Sequence, residues 1–176
     1  MRTLVAALTV SLLVTHAIVQ AQIPTAGPEH KRLAYFVGTW NFTGQAQQSP
    51  MGPAGPVTFK ETCEAAAGGF AIVCRSDGKG PMGPTKATAI MGYDAEKKTY
   101  TYTAAESNMP VINATGQAQG PTWTWTTVSN MAGQQITTRV VIKEGGPNSY
   151  EMAMEMSMDG KKFAPMMSGK VTRAGS

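Results

Sequence analysis

Apolar and polar residues alternate with a period of two along most of this chain, and that period builds strands rather than helices. Trp40 and Phe42 share a face. Val57, Phe59, Glu61 and Cys63 share the next, with Thr58, Lys60, Thr62 and Glu64 opposite. The alternation returns at Tyr100 and Tyr102, at Trp123 and Trp125, and at Ile136, Thr138, Val140 and Ile142. It returns once more at Tyr150, Met152, Met154, Met156 and Met158. Turn chemistry separates the runs at Asp77-Gly78, Asp94 to Lys97, Asn108 to Pro110, Gly120-Pro121, Asn130 to Gly133, Gly145 to Asn148 and Asp159-Gly160. About ten strands result.

One stretch breaks the pattern. Glu29 to Phe36 carries Leu33, Phe36 and Val37 at helical spacing, over one or two turns. With no second helical segment, parallel βαβ folds are excluded. Short hairpin connections favour a meander, and closure removes the exposed edges that a sandwich must protect. The expectation is an all-β fold, a single antiparallel up-and-down β-barrel of about ten strands, with the short N-terminal helix plugging one end.

Composition adds the compartment. Arg2 followed by the apolar run Leu4 to Val19 and by Val19-Gln20-Ala21 reads as a secretory signal cleaved after Ala21. Thr9, Ser11, Thr15 and His16 interrupt that run, which argues against a membrane anchor. The expected organisation is a signal peptide over 1–21, a flexible leader over 22–28 and the barrel over 29–176, in a secreted or periplasmic monomer. The formal charge of +4 is scattered over isolated pairs such as Lys97-Lys98 and Lys161-Lys162. Without a clustered basic stripe, nucleic-acid binding is not expected.

The chain has 2 cysteines, and an exported context permits a disulfide between them. Gly68-Gly69 centres a hairpin that sets Cys63 opposite Cys74. A two-residue loop would make them a hydrogen-bonded pair, and a four-residue loop the closer, non-hydrogen-bonded kind. A second regularity is the tetrad Pro50-Met51-Gly52-Pro53, repeated as Pro81-Met82-Gly83-Pro84. Shared turn chemistry accounts for it; two loops at one barrel mouth is the functional alternative.

The mature chain has a single histidine, His30, which removes Ser-His-Asp, Cys-His and His-rich zinc chemistry. Its neighbours Glu29, Lys31 and Arg32 mark it as a solvated helix residue. Glu61 is different, because it falls on the inward face with Val57, Phe59 and Cys63. A carboxylate there is costly unless paired, hydrated or protonated, so it is a candidate anchor for an amine or hydroxyl of a ligand. A strand bulge or a wet barrel end would explain it equally. The Met152, Met154, Met156, Met158 stripe is expected to point inward as core or cavity lining, with Met166 and Met167 on the next strand. Phe59, Glu61, Tyr100, Tyr102, Trp123, Trp125, Met152, Met154 and Met156 are therefore the expected ligand-binding residues. The ligand would be small and apolar or amphipathic, with no cofactor and no catalysis. Thioethers also suit copper(I), which makes a copper-binding protein the alternative, and an enzyme using Glu61 a further one.

Gly38-Thr39-Trp40 after a short helix resembles the opening of the calycin superfamily, meaning lipocalins, fatty-acid-binding proteins and nitrobindin-like barrels. The resemblance implies structural roles for Gly38 and Trp40, with Arg173 packing over Trp40 by a cation–π contact. Phe36-Val37-Gly38-Thr39-Trp40, Met91-Gly92-Tyr93-Asp94, Pro28-Glu29-His30-Lys31 and Met158-Asp159-Gly160-Lys161 are similar to an uncharacterised bacterial family of exported calycin-like domains. That family implies a fold over Glu29 to Arg173 and no established activity. Nitrobindin-like barrels hold haem through a histidine late in the chain, a position this sequence leaves without one.

Overall fold

The structure, a computed structural model, describes residues 25–50, 52–107, 109–131 and 133–175; the expected signal segment lies outside them. A short helix, α1 (Pro28–Arg32), begins on a proline suited to the first helical position and runs into a 3-10 turn over Leu33–Phe36. Ten strands follow: β1 (Gly38–Ala46), β2 (Gly55–Ala66), β3 (Ala71–Gly80), β4 (Gly83–Asp94), β5 (Thr99–Glu106), β6 (Ile112–Gln119), β7 (Thr122–Met131), β8 (Gln134–Glu144), β9 (Ser149–Ser157) and β10 (Ala164–Arg173). Each pairs antiparallel with the next, and β1 pairs with β10 as well as β2, so the sheet closes into a barrel.

Trp40 stands at that seam, opposite Glu61 on β2 and Arg173 on β10. It is 0% exposed, and its indole N–H donates to the Phe36 carbonyl at 2.7 Å. The Arg173 guanidinium lies 4.1 Å above its ring and donates to the carbonyls of Val37, Tyr35 and Pro147. Gly38 has φ +124°, and a Cβ there would collide with the Arg173 guanidinium. The Gly-x-Trp opening is thus a packing unit: glycine admits the arginine, and the arginine covers the tryptophan.

α1 and its 3-10 turn close one end. Arg32 forms an ion pair with Glu144 at 2.5 Å and donates to the Gly120 carbonyl. The Tyr35 hydroxyl bonds the carbonyls of Gly146 and Ser149, and the Tyr100 hydroxyl donates to Glu29 at 2.5 Å. Leu33 and Phe36 insert below, where Phe36 meets Trp123 with ring centroids 5.0 Å apart. This half of the barrel is solidly packed.

His30 is not the solvated residue its neighbours implied. Its ring meets Phe70 at 4.9 Å and Tyr93 at 5.8 Å, edge to face, and its Nδ1 is buried without a hydrogen-bond partner among the described residues. The helix is too short to carry the ring beyond Phe70 in the β2–β3 turn and Tyr93 at the end of β4. Asp94, closing Gly92-Tyr93-Asp94, accepts the backbone N–H groups of Glu96 and Lys97, which bends the chain from β4 into β5. Asp159 does the same for Lys161 and Lys162 between β9 and β10. Both aspartate motifs are turn builders.

Cys63 and Cys74 form a disulfide with Cα atoms 4.0 Å apart. Ala66 pairs with Ala71, which leaves four residues in the loop and makes the cysteines the closer kind of pair. The bridge fits an oxidising compartment. No helix among the described residues is long and apolar enough to cross a membrane.

Candidate functional site

Hairpins alternate between the two ends, so the β1–β2, β3–β4, β5–β6, β7–β8 and β9–β10 connections all ring the end opposite the helix. Side chains facing inward near this end stay partly accessible: Val57, Phe59, Glu61, Ser76, Tyr102, Glu106, Val140, Met154 and Met167. Solvent therefore reaches between them, whereas the floor below, Trp40, Trp123, Leu33 and Val171, is sealed. Two surface grooves of about 350 and 380 Å³ lie on the outer wall, one across β8 to β10 and one beside Pro81; neither includes Glu61.

Glu61 is the chemical centre of the accessible half. The alternation of β2 turns it inward beside the disulfide, and no bulge interrupts its pairing with Trp40 on one side and Ser76 on the other. Burial pushes its carboxyl up to about 7, and no hydrogen bond or neighbouring cation opposes that shift. Glu106, inward at the mouth end of β5, is likewise raised by burial alone. Tyr102 is pushed up to about 12, first by burial and then by the charges of Glu61 and Glu106. Tyr150, across the barrel on β9, is raised by burial and by Glu61, and its hydroxyl has no hydrogen-bond partner among the described residues. Two carboxyls and two phenols thus face one interior.

The Glu61 shift makes a pH prediction. In the unfolded chain this carboxyl ionises near 4.5, while the folded protein keeps the proton up to about 7. Between those values the unfolded state has lost a proton that the folded state holds, so stability falls as pH rises and stays lowered above the window. Glu61→Gln removes that penalty. It is expected to stabilise the protein by about 1–2 kcal/mol at pH 8, after allowance for solvent access, and to change little at pH 4. Urea unfolding at the two pH values checks this; equal gains at both would show that charge is not the cause.

The methionine stripe is shorter than its spacing implied. Met152, Met154 and Met156 face inward, but β9 ends at Ser157, and Met158 lies in the following turn, 45% exposed. The reason is the Asp159 turn, whose carboxylate also takes the Ser157 hydroxyl and ends the strand one residue early. Met154 lies directly opposite Met167, past a bulge between Pro165 and Met167. Glu61 and the two cysteine sulfurs have donor atoms within 4.8 Å of one another, but the disulfide removes the thiolates a metal would need.

Met82, Met109, Val111, Val128 and Met158 are all exposed and all sit around the open end, an apolar rim. The repeated tetrads meet there: Met82 packs over Gly52, and Pro81 lies against Gly55. Of the expected binding residues, Phe59, Glu61, Tyr102, Met152 and Met154 are partly accessible. Trp125 and Met156 are buried beside them. Tyr100 and Trp123 belong to the floor, their polar atoms engaged by Glu29 and Glu144. Glu106 and Tyr150 are the members that sequence reasoning missed. Extending the Tyr100, Tyr102 alternation by four residues reaches Glu106, and Tyr150 heads the methionine run, so both signals were present.

With this geometry in view, the family described as "Protein of unknown function (DUF1579)" matches residues 25–173. The chain belongs to that family. No curated protein matches the chain. Solved structures share the fold, two of them as follows. Rv2717c from M. tuberculosis superposes with a TM-score of 0.60 at 10% identity, covering 84% of this chain and 98% of that one. An S-type phycobiliprotein lyase, CPES from Guillardia theta, superposes with a TM-score of 0.53 at 13% identity, covering 84% of this chain and 93% of that one. At these identities the likeness is one of architecture.

Proposed function

We propose that this protein is an exported, non-catalytic carrier that holds a small apolar or amphipathic molecule in the open half of its calycin-like barrel. The observation that carries this reading is the contrast between the two halves. The helix end is packed shut, while the other end keeps Phe59, Tyr102, Val140, Met154 and Met167 accessible to solvent. A barrel that needed only stability would fill both. Flexible thioethers on one wall adapt to varied apolar shapes, and the apolar rim offers such a molecule a first contact. The Cys63–Cys74 bridge is consistent with residence outside the reducing cytoplasm. One structural neighbour is named for work on phycobiliproteins, which is in keeping with small-molecule handling on this architecture.

Native mass spectrometry of the protein purified from its own source tests the reading. The expected result is an added mass that organic solvent releases. A chain that emerges unliganded and gives no saturable fluorescence with the neutral apolar dye N-phenyl-1-naphthylamine would refute carriage.

A further inference from the structure

We propose that the ligand is a cation, an amphiphile whose protonated amine lies between Glu61 and Glu106 while its apolar body rests on the thioether wall. This deepens the carrier reading and rests on it.

The argument begins with the register. Glu61 is opposite Ser76, Ser76 opposite Ala87, and Ala87 opposite Glu106, so the two carboxylates stand in one row across four adjacent strands. Strand spacing puts their backbones about 14 Å apart along the wall. The two residues between them, Ser76 and Ala87, are small, so no larger side chain of this row stands between the carboxylates. Barrel curvature turns both carboxylates toward the same interior, and Tyr102, which senses both charges, lies within reach of each.

Once ionised, these carboxyls have no countercharge beside them. Arg173 is the only cation at an inward strand position among the described residues, and it is held at the helix end by three carbonyls and the Trp40 ring. Arg139 faces outward, paired with Glu155. Neither Glu61 nor Glu106 has a hydrogen bond or ion pair to a described residue. Tyr150 is close to Glu61, and its hydroxyl, which makes no hydrogen bond to a described residue, is not sealed from solvent.

The chemistry selects the sign. An anionic head would meet two carboxylates and no countercharge. A neutral head adds no countercharge and leaves the burial cost of ionising them unrelieved. An ammonium supplies a countercharge, donates to Glu61 and Glu106, and gains from the aromatic face of Tyr102. The Glu61 carboxyl, which burial keeps protonated up to about 7, would ionise against it.

The test uses one apolar body with three heads: decylamine, decanol and decanoate, each displacing N-phenyl-1-naphthylamine from the wild-type protein. Decylamine is expected to bind about tenfold more tightly than decanol, with decanoate weakest. In Glu61→Gln and Glu106→Gln, the decylamine-to-decanol ratio is expected to shrink toward one. Because the ratio is read within each variant, any general weakening cancels. Decanol or decanoate binding as tightly as decylamine would overturn the cation assignment and leave the carrier reading standing. Failure of the dye and of all three compounds, checked by calorimetry, would overturn both.

Discussion

Trp40→Ala is expected to cost about 3–5 kcal/mol of folding stability, the range for removing a fully buried aromatic ring. The loss is large because three things go together. The ring fills the floor between Tyr150, at 5.1 Å, and Tyr35, at 5.9 Å. Its N–H satisfies the carbonyl of Phe36, and its face receives the Arg173 guanidinium. The variant strands that guanidinium over a void at the seam where β1 must hold both β2 and β10. Domains of this size are stable by only about 5–15 kcal/mol, so the variant should unfold at a urea concentration lower by about 1–3 M. Trp40→Phe keeps the ring and loses the donor, and should cost less than half as much. A loss below about 1 kcal/mol for the alanine variant would show that the seam does not depend on this residue.

Reducing the Cys63–Cys74 bridge has the second largest expected effect, about 3 kcal/mol. The sequence separation is 11, and closing a loop of that length removes chain entropy from the unfolded state by roughly this amount. The bridge ties β2 to β3 beside Glu61, so its loss also loosens the wall that carries the candidate anchor. Thermal unfolding with and without reductant should differ by about 6–12 °C, and Cys63→Ala/Cys74→Ala should no longer respond to reductant. Identical melting of the oxidised and reduced protein would remove the bridge from the list of stabilising features.

Much of this was legible in the chain. Period-two runs separated by turn residues are a local property, since each strand's pleat decides which side chains share a face. That is why ten strands, an inward Glu61 and Cys63 opposite Cys74 could be read without coordinates. The same logic misjudged two places where a distant group decides. Met158 continues the alternation, but Asp159 recruits Ser157 and ends β9 before it. His30 sits among charged neighbours, yet Phe70 in the β2–β3 turn and Tyr93 at the end of β4 reach it from far along the chain.

By itself the sequence determined the strands, their facing, the hairpin order and hence the barrel, because pleat and turn preferences act over a few residues. Only tertiary structure decided which end is sealed, that Tyr150 and Glu106 join Glu61 in one interior, and that Arg173 is spent on Trp40 rather than on those carboxylates. Such juxtapositions depend on closure, which brings β1 against β10 and sets opposite walls face to face. No local pattern encodes them, since the residues involved lie far apart in the chain and meet only across the barrel's width.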